Sequence, residues 1–242
     1  MNLVLTMAGK YNRFRLFGNK VPKYLLPLGA ETMLAEVIKQ YLRSATVSKI
    51  YLIANRHDQI FFPIVRSIMG KYNINNKYLI YIDDTSSQLE TALTASELLP
   101  TDQLNSPIAF ANIDTVLFER AAFFESLEIG ESKIALLDTF KGESKQYSYA
   151  RVEADCKVVD VVDKNVISQN ACSGLYGFGS YSIMANRATQ LLRENSGANF
   201  TDLYKKYISV GANVHAHYSK NMSHTVVLGT PEEYLINIHR FK

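Results

Sequence analysis

The sequence predicts an α/β fold: a single Rossmann-like domain over residues 1–242, with a central mixed, mostly parallel sheet flanked by helices. Three observations predict it. Short apolar runs alternate with stretches of helical periodicity over the first 140 residues. After about residue 140, the sequence changes to short strand-like segments that are typical of antiparallel strands. A chain of 242 residues that is 47% hydrophobic is also long and apolar enough for one large core.

Five apolar runs bounded by polar or turn residues are the predicted strands of the first part, at 3–7, 50–54, 78–82, 108–111 and 133–137. Between them, apolar residues recur at three- and four-residue spacing, which is typical of amphipathic helices. These helices are predicted at 33–44, 59–72 and 88–99. Strands joined by helical crossovers form parallel sheets.

After about residue 140, further strands are predicted at 148–153, 157–162, 174–178 and 213–218, and helices near 180–195 and 200–210. A last helix is predicted from 231 to about 240, because Thr230, Pro231 and two glutamates form a typical helix start. We expect this half to complete the sheet and to cover the site.

Composition excludes several classes of protein. The 26 Lys and Arg residues against 23 Asp and Glu give a net charge of +3 without a basic block, so nucleic acid is not an expected partner. Cys156 and Cys172 are too few for a disulfide framework. No run approaches the ~20 apolar residues of a membrane helix, and the first apolar run lacks the preceding basic residues of a signal peptide. We therefore expect a cytoplasmic protein with no membrane partner, whose oligomeric state, homo-oligomer included, is left open.

The first predicted strand leads into a glycine-containing loop and then a proline-flanked lysine. Residues 7–14 read Met-Ala-Gly-Lys-Tyr-Asn-Arg-Phe, and residues 21–28 read Val-Pro-Lys-Tyr-Leu-Leu-Pro-Leu. Such a strand end is where open α/β sheets bind ligands, and amides near Ala8 and Gly9 can approach phosphate oxygens. Arg13 and Lys23 would add fixed positive charge for phosphoryl transfer. Without the second segment, an ordinary strand-to-loop turn would be the favoured interpretation of Gly9 and Arg13.

A second predicted strand ends in Asn-Ile-Asp at residues 112–114. Asp114 is well placed to hold Mg²⁺ through its carboxylate, with phosphate oxygens and water as the other ligands. Its alternative role is to cap a following turn.

The glycine-containing loop and the proline-flanked lysine segment, in this order and spacing, resemble the sugar-1-phosphate nucleotidyltransferase family of the NTP-transferase superfamily. The strand that ends in Asn-Ile-Asp is a second match, and the likeness extends over about residues 3–234. It implies that Arg13 and Lys23 grip the phosphates of an NTP and that Asp114 binds Mg²⁺. The implied reaction transfers a nucleoside monophosphate to a sugar 1-phosphate or similar phosphomonoester and releases pyrophosphate, for surface polysaccharide precursors. A phosphate monoester is already an anionic nucleophile, so no general base is required.

Later segments resemble the family more weakly. An acid and Lys164 follow a predicted strand, and a Gly-x-Tyr-x-Phe pattern begins at Gly174. The resemblance implies that Lys164 touches the acceptor phosphate and that Gly174 permits its close approach. A lysine in this position is otherwise simply solvated.

The loop over residues 83–92 is where the resemblance implies that the base is selected. Backbone groups near Ser87 and Gln88 would meet the base edge. Asp84 could accept a hydrogen bond from an exocyclic amine such as that of cytosine, which gives a slight preference for CTP. Asp83 and Asp84 alternatively begin the next helix.

Two positions depart from the family pattern. Tyr11 stands where the family has its second glycine, and Val227 stands where many members have a second metal-binding aspartate. Since a valine cannot bind Mg²⁺, either Asp202, His224 or the substrate phosphates complete the site, or Asp114 holds the metal alone.

These departures keep two rival functions open. One is a nucleotide-sugar-dependent glycosyltransferase, because Asn-Ile-Asp at residues 112–114 is a variant of the Asp-x-Asp metal motif of those enzymes. Arg13 and Lys23 argue against this function. The other is a nucleotide-binding regulatory protein that has lost catalysis.

Overall fold

The computed structural model describes residues 1–130, 134–219 and 221–241. Within them the strands are β1 (Asn2–Met7), β2 (Pro27–Leu28), β3 (Glu31–Thr32), β4 (Lys49–Asn55), β5 (Leu79–Ile82), β6 (Ile108–Asn112), β7 (Thr115–Leu117), β8 (Ala135–Lys141), β9 (Tyr149–Val152), β10 (Val158–Val162), β11 (Asn170–Phe178), β12 (Val214–Tyr218) and β13 (Thr225–Val227). The α-helices are α1 (Asn12–Leu16), α2 (Met33–Tyr41), α3 (Phe62–Lys71), α4 (Gln88–Leu93), α5 (Ala121–Ile129), α6 (Tyr181–Glu194), α7 (Phe200–Ser209) and α8 (Pro231–Asn237).

The main sheet has nine strands and mixed direction. Its order is β10-β9-β11-β6-β1-β4-β5, with β8 beside β11 and β12 beside β8. The strands β6, β1, β4 and β5 run parallel, and β11 returns antiparallel to β6 and β8. The predicted α/β class, with a central mixed sheet flanked by helices, is confirmed.

Strand β1 lies in the middle of the sheet and is buried on both faces. Leu3, Leu5 and Met7 pack with residues of α2, α3 and α5, whereas Val4 packs with residues of α4, α6 and α7. Because side chains alternate along a strand, one apolar run fills two core layers. This is why the first predicted strand is a continuous apolar segment.

The parallel register brings several loops to one edge of the sheet. Thr6 lies opposite Asn112, and Met7 lies opposite Ala54. The segments that follow β1, β4 and β6 therefore emerge together, at the edge where open α/β sheets bind ligands.

Several predicted boundaries differ from the structure. Strand β8 starts at Ala135, and position 133 of its predicted range lies outside the described residues. The α-helix predicted at 59–72 begins only at Phe62, and the residues before it form the 3₁₀ helix Arg56–Phe61. The reason is Pro63, which fits the first turn of an α-helix but not its interior. The helices α1 and α5 were not predicted, and α1 buries only Phe14, too little for a periodic signal.

Candidate active site

Two adjoining cavities open at this edge of the sheet. The large cleft has a volume of about 580 Å³ and lies among the ends of β1 and β6 and the start of α4. The side cavity, of about 150 Å³, lies between the end of β6 and the elements β11, β13 and α8. Asn112 and Asp114 line both of them.

The structure brings together eight of the ten predicted site residues. Those that line the large cleft are Ala8, Gly9, Lys23, Ser87, Gln88 and Asp114. The side cavity is lined by Arg13 and Gly174, again with Asp114. The remaining two, Asp84 and Lys164, are outside the lining of both cavities.

Lys23 and Asp114 are in direct contact where the cavities meet. The Lys23 Nζ donates a hydrogen bond to Asp114 Oδ2 at 2.6 Å, and each side chain is less than one-fifth exposed. Lys23 begins a short 3₁₀ helix after Pro22, and the backbone carbonyl of Asp114 accepts a hydrogen bond from the amide of Leu228. Backbone hydrogen bonds thus hold the two chain segments that carry these charged side chains.

Tyr11 occupies a position of the first loop whose backbone conformation favours glycine. Its backbone has φ 40° and ψ 37°, the left-handed conformation that glycine adopts freely and that costs other residues about 1–2 kcal/mol. The Tyr11 hydroxyl donates a hydrogen bond to Asp58 Oδ1 at 2.7 Å. Hydrogen bonds to charged groups contribute about 1.5–3 kcal/mol, which can offset that cost.

Asp58 is a buried carboxylate that the sequence analysis did not single out. Its residue is 1% exposed and lies in the 3₁₀ helix after β4. Its second oxygen accepts a hydrogen bond from the Tyr24 hydroxyl at 3.1 Å. Burial raises the pKa of Asp58, and the two phenol hydrogen bonds oppose that shift. No sequence motif marks this aspartate, because its partners are distant in the chain.

The far end of the large cleft is held by amide and hydroxyl groups. Gln88 Nε2 donates to Thr6 Oγ1 at 2.6 Å and to Asn112 Oδ1 at 2.5 Å. The Ser87 side chain accepts from the amide of Glu90 and caps α4. Its hydroxyl is therefore committed to the helix, and the cap is Ser87 rather than an aspartate.

The carboxylate of Asp84 is occupied by two partners. Lys10 Nζ lies 2.8 Å from its Oδ2, and Asn55 Nδ2 donates to its Oδ1 at 2.8 Å. These hydrogen bonds, first from Lys10 and then from Asn55, lower the pKa of Asp84. Lys10 itself lines the large cleft, and its place directly after Gly9 was the available signal for it.

Gly174 allows strand β11 to approach Asn112. Its φ is +87°, and a Cβ at this position would lie 2.6 Å from Asn112 Nδ2. Any larger residue would therefore displace the side chain that both cavities share. Lys164 is further out: its Nζ lies 3.6 Å from Asp163 Oδ2, and its side chain is 64% exposed.

Glu233 and Tyr147 also line the side cavity and were missed by the sequence analysis. The Tyr147 hydroxyl donates to Glu233 Oε1 at 2.9 Å, while Glu233 Oε2 accepts from the amide of Thr230 in the capping box of α8. The signal for Glu233 was the Thr-x-x-Glu spacing, which indicates a helix start but not a cavity.

The candidates for a second metal ligand have other partners. Asp202 belongs to the capping box of α7, and His224 Nδ1 lies 3.3 Å from Glu119 Oε2. Val227 lines the side cavity. Among the described residues, no group of three or more His, Cys, Asp or Glu side chains could hold a metal ion.

The helices in residues 1–130, 134–219 and 221–241 include none that is both long and apolar enough to cross a membrane.

No family model and no curated relative matches the chain. Solved structures match it over nearly its whole length. A nucleoside-diphosphate-sugar pyrophosphorylase from Vibrio cholerae is 23% identical, with a TM-score of 0.78 over 98% of this chain and 99% of that one. A protein assigned as a glucose-1-phosphate thymidylyltransferase from Bacillus anthracis, solved with sucrose, is 14% identical, with a TM-score of 0.78 over 99% and 94%.

A UDP-glucose pyrophosphorylase complexed with UDP-glucose is 13% identical, with a TM-score of 0.77 over 99% of this chain and 97% of that one. At these identities the likeness establishes the fold. This chain therefore shares the fold of these two sugar-nucleotide pyrophosphorylases and of the protein assigned as a thymidylyltransferase.

Proposed function

We propose that this protein is a nucleotidyltransferase of the pyrophosphorylase type, which transfers a nucleoside monophosphate from an NTP to a sugar 1-phosphate or a similar phosphomonoester. The observation that carries the proposal is the 2.6 Å contact of Lys23 with Asp114 where the two cavities meet. Phosphoryl transfer is catalysed mainly by positioned charge, and this junction offers both signs of it. Two of the structural neighbours are pyrophosphorylases, which supports the same reaction class.

In the proposed reaction, the NTP occupies the large cleft and the acceptor phosphate enters from the side cavity. An acceptor oxygen attacks the α-phosphorus, the bond to the β-phosphate oxygen breaks, and pyrophosphate leaves with that electron pair. Amides at Ala8 and Gly9 hold the β- and γ-phosphates in the large cleft, and Arg13 contacts them from the adjoining side cavity. Lys23 stabilises the charge that develops on the α-phosphoryl group.

Asp114 fits the role of a Mg²⁺ ligand. It presents a partly exposed carboxylate to both cavities, and Mg²⁺ is usually held by one or two carboxylates together with substrate phosphates. When bound, the ion would neutralise charge on those phosphates. With Val227 in the second position, we assign this role to Asp114 alone.

The nucleobase would lie near Ser87 and Gln88. The preference for CTP rests on Asp84, whose carboxylate already accepts from Lys10 and Asn55. Recognition of a cytosine amine would therefore require Lys10 to release it. We propose in addition that the reaction takes place in the cytoplasm and serves surface polysaccharide precursors.

The decisive experiment incubates the purified protein with each of the four NTPs, Mg²⁺ and a panel of sugar 1-phosphates and other phosphomonoesters, including phosphocholine. Pyrophosphate release that requires both an NTP and an acceptor supports the proposal. Transfer only from a preformed nucleotide sugar would instead identify a glycosyltransferase. Tight NTP binding without pyrophosphate formation across the panel would identify the inactive regulatory protein.

A further inference from the structure

Asp58 joins two segments that carry different cations of the site. Its carboxylate has one phenol on each oxygen: Tyr11 on Oδ1 at 2.7 Å and Tyr24 on Oδ2 at 3.1 Å. Asp58 and Tyr24 are each 1% exposed. A buried carboxylate needs such donors, and these two come from separate parts of the chain.

Each tyrosine is connected to one of the two cations by backbone. The carbonyl of Tyr11 accepts hydrogen bonds from the amides of Phe14 and Arg15, which form the first turn of α1 around Arg13. Tyr24 directly follows Lys23 in the 3₁₀ helix Lys23–Leu25. A shift of either phenol would therefore move the neighbouring cation.

Arg15 contacts the Tyr11 phenol in two ways. Arg15 donates to the Tyr11 hydroxyl at 3.1 Å, and its guanidinium lies over the Tyr11 ring at 4.5 Å from the centroid. Burial raises the pKa of Asp58, whereas the hydrogen bonds from Tyr11 and Tyr24 and the nearby Arg15 and His57 oppose that shift. The family glycine at position 11 would lack every one of these contacts, so in this chain the tyrosine ties the loop to the rest of the site.

We propose that Asp58 is a positioning residue, which sets the separation of Arg13 and Lys23 through the hydroxyls of Tyr11 and Tyr24. The inference rests on the proposed function, in which the two cations act on one triphosphate. Small misplacements of catalytic groups are costly: a shift of about 1 Å can lower a rate 100-fold. Asp58 itself lies outside the lining of both cavities.

The test compares Tyr11→Phe, Tyr24→Phe, Asp58→Asn and the double variant Asp58→Asn/Tyr11→Phe. Each tyrosine variant removes one hydroxyl and keeps the ring. We expect kcat to fall about 10-fold in Tyr11→Phe, with a nearly unchanged acceptor KM, at a temperature where each variant is folded. The double variant should lose little more than the more damaging of the two single variants, since both changes act on the same contact.

Tyr81→Phe is the matched control. Burial and, after it, the nearby Asp58 carboxylate raise the pKa of Tyr81, yet its buried hydroxyl has no hydrogen-bond partner among the described residues. We expect its kcat to stay within about twofold of wild type. The proposal would be overturned if the fall of kcat in Tyr11→Phe only followed a lower folded fraction. It would also be overturned if the kcat losses of Asp58→Asn and Tyr11→Phe multiplied in the double variant.

Crystal structures of wild type and Asp58→Asn separate this inference from the proposed function. A change of about 1 Å or more in the Cα separation of Arg13 and Lys23 supports a positioning role even if no acceptor is found. An unchanged separation overturns it even if the wild type proves to be an active nucleotidyltransferase. A wild type that never releases pyrophosphate counts only against the proposed reaction.

Discussion

The large cleft and the side cavity share Asp114, yet their polar groups are arranged differently. In the large cleft, side chains hold one another: Lys23 bonds to Asp114, and Gln88 bonds to Thr6 and Asn112. In the side cavity, Tyr147 bonds to Glu233, but the Arg13 side chain is exposed and makes no hydrogen bond or ion pair with the residues that the structure describes.

We infer from this difference that the two cavities have separate roles in the proposed reaction. Groups that are fixed before the substrate arrives stabilise a transition state without reorganising, which suits the constant part of the reaction at the triphosphate. The side cavity is smaller and is bordered by the strands β11 and β13 and the helix α8, all from the second half of the chain. It would determine which acceptor enters.

Asp114→Asn should have the largest effect, because both cavities lose the same carboxylate. We expect kcat to fall roughly 1,000-fold, since metal-bound charge stabilisation is worth several kcal/mol. The fold should survive, because the Asp114 backbone carbonyl keeps its bond from Leu228. Pyrophosphate release measured against Mg²⁺ concentration checks this, with Asp102→Asn, an exposed aspartate elsewhere, as the control. A loss below about tenfold would remove Asp114 from the chemistry.

Lys23→Ala tests the large cleft by itself. Removal of one fixed donor to transition-state charge costs roughly 100-fold in kcat, and we expect that loss with little change in acceptor KM. The control is Lys20→Ala, an exposed lysine three residues earlier. Activity within about tenfold of wild type would exclude Lys23 from the mechanism. A change confined to acceptor KM would reverse the assignment of the two cavities.

Gly174→Ala tests the wall between the cavities. A Cβ would lie 2.6 Å from Asn112 Nδ2 and would disturb the Gln88 contact. We expect kcat/KM for both substrates to fall about tenfold, with the melting temperature lowered by several degrees. Gly211→Ala has the same left-handed backbone, φ +69°, but open space around it, so it should lose stability without losing kcat/KM. Equal activities of the two variants would contradict the role of this contact.

The first half of the site could be predicted from sequence because its residues follow parallel strands. Gly9 and Asp114 come after β1 and β6, and the ends of parallel strands necessarily meet at one edge. Local patterns therefore carried three-dimensional information there.

The rest of the site depends on contacts between distant segments. Asp58 meets Tyr11 across 47 residues, and Tyr147 meets Glu233 across 86. No local spacing encodes such pairs, and a single sequence offers no other signal for them. Asp84 shows the opposite problem: its position was visible, but its commitment to Lys10 and Asn55 was not.

Lys164→Ala should have the smallest effect and tests how far the side cavity extends. The resemblance implies that Lys164 touches the acceptor phosphate, whereas its side chain is 64% exposed and lies outside the cavity lining. An exposed ion pair contributes at most about 1 kcal/mol, so we expect acceptor KM to rise about threefold with kcat unchanged. Steady-state kinetics at two salt concentrations check this, because screening should reduce the difference. Lys157→Ala, which changes an exposed lysine directly before β10, is the control, and equal KM values in the two variants would remove Lys164 from the acceptor site.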